Sequence, residues 1–241
     1  MIEKIKKRYR KKSFDSGFLG IFINLFYFAR KGLHDHIQQA AHHVSGKALD
    51  VGCGQKPYRS IFQNVTEYIG MDIEESGHDH SNENIDVFYD GKIFPFEDDV
   101  FDSIVCNQVL EHVFNPVEFL SEMYRVLKKG GKVLLTVPFV WDEHEQPYDY
   151  ARYSSFGLRH LVESAGFTVV EQRKSVQDIR AVFQLLNAYW YKKTANIKPS
   201  FLRFVLNILI ATPNNLMGLL WYSILPKNPD FYLDNVIVLE K

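Results

Sequence analysis

Short apolar runs alternate with longer segments whose apolar residues recur at helical spacing from about Lys47 onward. This alternation is typical of an α/β domain in which helices cover a parallel sheet. Each run has the length of a strand. We therefore predict seven strands, at Ala48–Val51, Tyr68–Met71, Asp86–Tyr89, Ser103–Cys106, Lys132–Val137, Thr168–Glu171 and Val236–Leu239.

Between these strands the spacing predicts helices at Pro57–Gln63, Pro116–Leu127 and Ser155–Ala165. The second is the clearest, because Asn115 is suited to an N-cap and proline is favoured at the first helical position. Its apolar residues share one face, namely Val117, Leu120, Met123, Tyr124 and Leu127.

The N-terminus is strongly basic, with seven Lys or Arg in residues 1–12 against Glu3 alone. An apolar stretch from Phe18 to Ala29 follows, which superficially imitates a secretory signal. No small-x-small cleavage site follows it, and Ile21, Leu25 and Phe28 recur at helical spacing. We predict an amphipathic helix packed on the domain, with an interfacial membrane helix as the alternative.

An unusually long segment, residues 175–232, separates the last two predicted strands. Within it, Phe204–Leu225 is a run of 22 residues without a formal charge. Polar and helix-breaking residues divide this run into two apolar pieces, at Asn207, Pro213, Asn214, Asn215 and Gly218. The favoured interpretation is buried or dimer-forming helices, and the alternatives are a monotopic membrane-contacting hairpin and a transmembrane span.

The net charge of −1 over 241 residues combines +6 in residues 1–12 with −7 in the rest. A mildly acidic body argues against duplex nucleic acid as the main partner. Cys53 and Cys106 are too few for a disulfide scaffold, which favours a reducing compartment and hence the cytoplasm. We predict no metal site, because the histidine pairs lack a companion set of ligands. These pairs are His34/His36, His42/His43 and His78/His80.

The residues most indicative of function are Ala48–Gly54, an apolar strand that ends in Asp50 and the glycines Gly52 and Gly54. Ligands bind beyond the carboxyl ends of such strands, where glycine lets the backbone approach closely. A dinucleotide fingerprint would require a third glycine where this chain has Pro57. The Asp before the glycines suits a ligand with ammonium and sulfonium charges better than a phosphate. Asp72, at the end of the second strand, is placed to accept ribose hydroxyls.

Five motifs in order across residues 46–172 resemble the class I S-adenosylmethionine-dependent methyltransferases of the type-11 kind. They are Leu49–Gly54, Gly70–Asp72, Asp90–Phe96, Phe101–Asp102 and Val109–His112. The resemblance implies a Rossmann-like, doubly wound, mostly parallel seven-stranded sheet with an antiparallel last strand. It also implies S-adenosylmethionine as cofactor. The third glycine of the family falls at Lys56, which leaves the loop near Gln55 and Lys56 undefined.

The resemblance assigns the methionine end of the cofactor to the first glycine loop, the ribose to Asp72 and the adenine edge to Asp90 and Gly91. Asn107 and Gln108 would lie beneath the sulfonium. The complete cofactor set is Asp50, Gly52, Cys53, Gly54, Asp72, Ile73, Asp90, Gly91, Asn107 and Gln108.

A hydroxyl acceptor would require a base on the loops after the fourth and fifth strands. His144 is the leading candidate and His112 the second, because histidine titrates near neutral pH. Tyr148, Tyr150 and Arg152 are the candidate acceptor-binding residues. The stretch 144–153 is similar to bacterial methyltransferases of surface-polysaccharide or lipid-linked glycan assembly. We therefore expect a small-molecule, glycan or lipid-linked acceptor, with O-methylation favoured.

The predicted organisation has four parts: an N-terminal segment (1–45), the cofactor-binding core (46–174), an apolar helical insertion (175–232) and the last strand (233–241). We expect no nucleic-acid partner. A peripheral contact with the cytoplasmic face of a membrane and a homodimer both stay open. The competing functions are a noncatalytic adaptor at a membrane or partner surface and, with less support, an NAD-dependent oxidoreductase.

Overall fold

The computed structural model describes residues 17–74 and 84–241. The basic run at 1–12 and the pair His78/His80 lie outside the described residues. Two compact units divide the chain. The described part of one unit contains residues 35–74, 84–174 and 234–241, and that of the other contains 17–34 and 175–233.

A seven-stranded sheet forms the centre of the first unit. Its strands are β1 (Ser45–Val51), β2 (Asn64–Ile73), β3 (Val87–Tyr89), β4 (Phe101–Asn107), β5 (Leu127–Pro138), β6 (Thr168–Lys174) and β7 (Asp234–Glu240). They are ordered β3-β2-β1-β4-β5-β7-β6, and β7 runs antiparallel to both of its neighbours. The predicted fold class is therefore confirmed.

The strand order reverses between β1 and β4, which pair in parallel from Ala48 with Ser103 to Val51 with Cys106. The paired residues of both strands are buried, as expected for a parallel sheet covered on both faces. Such a reversal opens a crevice beyond the carboxyl ends of the strands, and this is where ligands bind in open α/β sheets.

Within the described residues, the α-helices are α1 (Gly20–Ile23), α2 (Tyr27–Ala40), α3 (Pro116–Val126), α4 (Ser155–Ser164), α5 (Arg180–Thr194) and α6 (Ser200–Ile224). The predictions for α3 and α4 are confirmed to within a residue. Asn115 is the N-cap residue of α3, but its side chain donates to the Glu118 carboxylate and caps no backbone N–H.

The prediction of a helix at Pro57–Gln63 is wrong, because the structure has only a 3₁₀ turn at Arg59–Ile61 there. The segment has room for barely two turns before β2 begins at Asn64. So short a helix is costly to nucleate. Phe62 is instead buried and stacks on Tyr68 of β2.

The apolar stretch near the N-terminus contains a break that the spacing did not predict. Asn24 is extended, and its side-chain oxygen accepts from the backbone N–H of Phe26. This local hydrogen bond competes with helix formation. The chain therefore forms the short α1 and then α2, which continues to Ala40.

The prediction that the polar residues of the 204–225 run would divide it is also wrong, since α6 is continuous through Pro213. The side chains near the proline are used for packing within the second unit. Thr212 donates to the Phe22 carbonyl, and Asn215 donates to the carbonyls of Ile21 and Asn24. These bonds hold the helix where proline removes one of its own.

Candidate active site

The loop after β1 turns sharply beneath the open end of the sheet. The backbone N–H groups of Gly52 and Cys53 both donate to the Met71 carbonyl, over 2.9 and 3.1 Å. Gly52 has φ of +67°, and a Cβ atom there would lie 2.3 Å from Cγ2 of Val109. Position 52 thus requires glycine twice over, for its backbone conformation and for the approach of Val109.

Asp72 ties this loop to the end of β2. One carboxylate oxygen accepts from the backbone N–H of Gly54 and the other from that of Ile73, each over 2.9 Å. The carboxylate is thereby held at the carboxyl ends of β1 and β2, close to the glycine loop. This is the position in which nucleotide-binding sheets hold a ribose.

Lys56 stands where the resembled family has its third glycine, and it adopts a left-handed backbone with φ of +51°. Its side chain is buried, and its ammonium lies 2.5 Å from the Asp86 carboxylate. The same carboxylate oxygen accepts from the backbone N–H of Gly70 over 2.7 Å. The Lys56 side chain therefore links the loop near Gln55 and Lys56 to Asp86, the residue before β3.

A cleft of about 950 Å³ opens above these loops. This is a normal size for a small-molecule site. Seven residues of the predicted cofactor set line it, namely Gly52, Gly54, Asp72, Ile73, Asp90, Gly91 and Gln108. A Cβ atom at Gly91 would lie 3.9 Å from Cγ2 of Ile73, which is an ordinary contact distance.

The lining of the cleft is acidic. Among the described residues it contains five carboxylates, those of Asp72, Asp90, Glu118, Glu122 and Glu145, against one lysine, Lys92. Such an arrangement favours a cationic ligand and repels phosphates. The cleft therefore fits S-adenosylmethionine, with its sulfonium and ammonium charges, better than a pyrophosphate-bearing dinucleotide.

Three residues of the predicted cofactor set do not line the cleft. Asp50 is buried and accepts from the Tyr68 hydroxyl over 2.6 Å, and burial raises its pKa to about 7. Cys53 is also buried, which raises the pKa of its thiol to about 12. Asn107 accepts from the Thr136 hydroxyl beside it. All three contribute to the support beneath the loops.

Asp90 lines the cleft, and one of its carboxylate oxygens accepts from the backbone N–H of Lys92 over 2.9 Å. This bond lowers the pKa of Asp90. Asp90 is consequently ionised at neutral pH and adds negative charge to this part of the cleft.

His112 also lines the cleft, as do Glu145 and Tyr150. Its Nδ1 atom is 2.7 Å from the Tyr148 carbonyl. A carbonyl can only accept, so Nδ1 carries the proton and the neutral ring presents the lone pair of Nε2. Burial lowers the pKa of His112, which keeps the ring neutral near pH 7. His112 thus provides a neutral imidazole in the lining of the cleft, and its Nε2 atom can accept a proton.

The other predicted catalytic and acceptor-binding residues lie outside the cleft lining, except Tyr150. Arg152 donates to both carboxylate oxygens of Asp149 and to nearby backbone carbonyls. Burial alone would raise the pKa of Asp149, but the bonds from Arg152 and from the His144 N–H lower it to about 2. Nδ1 of His144 is 3.4 Å from both Asp149 and Arg152. Tyr148 contributes its backbone carbonyl to His112.

Glu111 belongs to the Val109–His112 motif but is not among the predicted site residues, and the structure buries it. Neither of its carboxylate oxygens has a hydrogen-bond partner among the described residues. Burial raises its pKa to about 8. Its Oε1 lies 3.8 Å from Nε2 of His112. The sequence shows that Glu111 is adjacent to His112, but it does not show that the Glu111 side chain is buried.

Glu111, His112 and His144 each bring one potential ligand atom within 4.8 Å of the others. The sequence predicts no metal site, because its histidine pairs lack a companion set of ligands. The structure instead brings together residues from the loops that follow β4 and β5.

The sequence analysis also missed the wall of the cleft that the start of α3 supplies, including Asn115, Glu118 and Glu122. Glu122 accepts from the backbone N–H of Phe94 and from Arg125, which lowers its pKa. The sequence offered one indication of this wall, namely the charged residues at the start of the helix that follows the fourth strand. Such residues are more often simply solvated.

Comparison with known proteins gives a family match. Residues 24–172 match a family model described as a methyltransferase domain. A probable S-adenosylmethionine-dependent methyltransferase from Mycolicibacterium smegmatis is 29% identical over 144 residues, which cover 55% of this chain and 56% of that protein. An uncharacterised protein from Methanocaldococcus jannaschii is 35% identical over 98 residues, covering 40% of this chain and 46% of that protein. The chain thus spans about half the length of these curated relatives.

Among solved structures, the [4+2]-cyclase SpnF superposes with a TM-score of 0.56 at 17% identity, covering 88% of this chain and 82% of that one. A likeness at this identity shows the fold alone. Because that protein is described as a cyclase, the fold does not determine the reaction, and the residues of the site must decide it.

Proposed function

The chain belongs to the methyltransferase-domain family, among the class I S-adenosylmethionine-dependent enzymes, and on that basis we propose that it transfers a methyl group to the hydroxyl of a neutral acceptor. The observation that carries this proposal is the acidic cleft, with five carboxylates and one lysine in its lining. A sulfonium nucleoside is the cofactor whose charge such a cleft complements.

The residues proposed to hold the cofactor follow the chain from the glycine loop to β4. Gly52 and Gly54 would leave room for the methionine end, Asp72 would accept from the ribose hydroxyls, and Asp90 and Gly91 would border the adenine. Gln108 would lie beneath the sulfonium. The bound cofactor would supply a methyl carbon activated by positive sulfur and a neutral thioether leaving group.

His112 is the proposed general base. The acceptor oxygen would form a bond to the methyl carbon as the carbon–sulfur bond breaks, and the acceptor proton would pass to Nε2 of His112. The lowered pKa of His112 supports this role, because the ring must be neutral to accept a proton. Tyr150 and Glu145 also line the cleft and would orient the acceptor.

The acceptor is proposed to be uncharged, such as a sugar hydroxyl of a small molecule, glycan or lipid-linked glycan. The surplus of carboxylates in the cleft disfavours an anionic acceptor. Arg152, the cation that would otherwise attract an anion, is paired with Asp149. We also propose a cytoplasmic location, supported by two cysteines that are free and buried.

Binding of S-adenosylhomocysteine, measured by titration calorimetry, tests the cofactor assignment. We expect micromolar affinity for the full chain and at least a tenfold loss (~1.4 kcal/mol) in Asp72→Ala. Glu163→Gln is the matched control, since that carboxylate is on α4 and outside the cleft lining. Absence of binding to the unmodified chain would favour a noncatalytic adaptor.

Methyl transfer itself is tested by incubating the protein with S-adenosylmethionine labelled in its methyl group and fractionated cell extract. We expect the label in an ether of an uncharged product. Label in an amine or carboxylate ester would contradict O-methylation of a neutral acceptor. Label nowhere, despite cofactor binding, would contradict the enzymatic proposal for this extract and chain.

A further inference from the structure

The long helix α6 exposes large apolar side chains and buries small or polar ones. Leu209 and Ile224 are 63% and 62% exposed, whereas Ala211, Asn215 and Gly218 are buried. A surface helix of a soluble protein has the opposite arrangement, with its apolar stripe turned toward the core. The helix is also long and apolar enough to meet the criteria for a membrane span.

The exposed side chains of α6 form a continuous stripe. Leu202, Leu209, Leu216, Leu220 and Ile224 are separated by seven, seven, four and four residues, which places them within one narrow arc of a helix. We call these five residues the α6 face. Soluble monomers rarely expose a contiguous apolar patch of this kind without using it.

The contacts between α5 and α6 resemble those between helices in a lipid environment. Asn187 of α5 donates to the Asn215 side chain over 2.9 Å, and Thr194 donates to Asn207 over the same distance. Gly218 of α6 also allows the Phe28 ring of α2 to approach closely, since a Cβ atom at position 218 would lie 2.8 Å from that ring. Small residues at the interface and polar side chains bonded across it characterise helix packing in membranes.

Charge identifies the surface that the α6 face complements. Residues 179–229 contain no Asp or Glu, but six Lys or Arg. Lys192, Lys193, Lys198 and Lys227 of this segment are exposed. Trp190 and Tyr191 are exposed beside the first two. Aromatic and basic residues next to an apolar surface are characteristic of contact with anionic lipid headgroups.

Topology excludes a single membrane crossing. The chain leaves the sheet after β6 and returns to it at β7, and these strands are neighbours. Any crossing by α6 would therefore need a second crossing by α5. With 15 residues, α5 is only about 22 Å long, which is short of the ~30 Å hydrocarbon core of a bilayer.

We propose that the α6 face inserts into one leaflet of an anionic lipid bilayer, so that the α5–α6 hairpin is a monotopic membrane anchor. The apolar side chains of α6 enter the acyl region at shallow depth, and the exposed lysines contact acidic headgroups. Binding by this surface does not depend on the proposed reaction, and it would bring the enzyme to a membrane-borne acceptor.

Vesicle flotation with the full chain tests the anchor. The probes are vesicles of phosphatidylcholine alone and vesicles containing about one third phosphatidylglycerol. We expect flotation with the acidic vesicles, much weaker flotation with the neutral ones, and retention of part of the binding at high salt. The triple variant Leu209→Gln, Leu220→Gln, Ile224→Gln should lose at least nine tenths of the floated protein.

Phe156→Gln is the matched control, because Phe156 is a highly exposed apolar residue of α4 in the other unit. It should float like the unmodified chain. The triple variant keeps the basic residues 1–12, so its loss of binding would separate insertion from electrostatic adsorption by that run. Thermal unfolding at an unchanged temperature confirms that it is folded.

Three results would overturn the anchor. The first is that the unmodified chain stays in the soluble fraction with both vesicle types. The second is that the triple variant floats as well as the unmodified chain. Alternatively, light scattering would show a stable dimer that dissociates in the triple variant while vesicle binding is absent, which would assign the α6 face to a second copy of the chain.

Discussion

The ammonium of Lys56 lies 2.5 Å from the carboxylate of Asp86, and its side chain crosses Gly70 of β2. A Cβ atom at position 70 would lie only 2.1 Å from Cε of Lys56. The ion pair joins the glycine loop after β1 to the residue before β3. Its two members are unequally placed, because the Lys56 side chain is 4% exposed and that of Asp86 is 42% exposed.

Because of this difference in exposure, we predict that removing the Asp86 carboxylate destabilises the protein more than removing the Lys56 ammonium. Asp86→Ala leaves a buried ammonium without its counter-ion and should destabilise the protein by about 2 kcal/mol or more. Lys56→Met keeps the aliphatic packing, and water can solvate the Asp86 carboxylate, so its cost should be about 1 kcal/mol or less. Urea unfolding measures both. Equal losses, or a larger loss in Lys56→Met, would contradict this interpretation.

Because His112 lines the cleft and His144 does not, we predict that replacing His112 lowers kcat much more than replacing His144. His112→Gln should lower kcat by about a hundredfold or more, because it removes the group that accepts the acceptor proton. His144→Gln, outside the cleft lining, should lower kcat by less than about tenfold. Both should bind S-adenosylhomocysteine within about twofold of the unmodified affinity. A larger loss in His144→Gln would reverse the assignment.

The pH dependence of kcat supplies a separate check on the base. Burial lowers the pKa of His112 below 6.5, and the ring acts only when neutral. Activity should therefore rise with pH through a midpoint below 6.5 and stay level above it. A midpoint well above 6.5, or an unaltered acid limb in the residual activity of His112→Gln, would argue against His112.

Glu111 predicts a pH-dependent stability. Burial raises its pKa from 4.5 to about 8, so the folded protein holds the proton more tightly than the unfolded chain does. The stability from this group is complete below pH 4.5 and is lost as the pH rises to about 8.

Glu111→Gln carries no titrating proton and should avoid that loss. Its free energy of unfolding should therefore increase relative to the unmodified protein by up to about 1.4 kcal/mol for each pH unit between pH 5 and 8. Denaturant unfolding at several pH values measures the difference. Glu163→Gln, at an exposed position, should show a constant difference. A constant difference for Glu111→Gln as well would mean that Glu111 is ionised throughout.

The group formed by Glu111, His112 and His144 predicts no dependence on a metal ion. Glu111 is protonated at neutral pH because of its raised pKa, and Arg152 lies 3.4 Å from His144. A cation would have to displace that proton in the presence of a guanidinium. Activity after dialysis against a chelator should be unchanged. Loss of activity that Zn²⁺ or Mg²⁺ restores, or a thermal shift with Zn²⁺ that is absent in His144→Gln, would contradict this.

Much of the fold could be predicted from the sequence, because strand identity is a local property of short apolar runs. Val51, Met71 and Cys106 belong to such runs and lie in the strands predicted for them. The glycine loop and Asp72 were equally recognisable, since residues at the carboxyl ends of parallel strands meet at one edge of the sheet.

The helical segments show where local pattern was insufficient. Pro213 has the same intrinsic effect in any helix, yet α6 continues through it because Thr212 and Asn215 bond to residues 21–24. The sequence could not show that these distant partners exist. It also could not show that the leucines of α6 face outward, since helical spacing is the same for a buried stripe and an exposed one.

The sequence by itself determined the order of the strands along the chain, the glycine loop and the acidic residues at the strand ends, all of which depend on neighbouring residues. Only the tertiary structure decided that His112 lines the cleft while His144 does not, and that Lys56 reaches Asp86. It also decided that Glu111 is buried with no hydrogen-bond partner among the described residues. These outcomes depend on which distant groups become neighbours and on how much water is excluded between them. Burial and long-range pairing arise only when the chain has closed on itself.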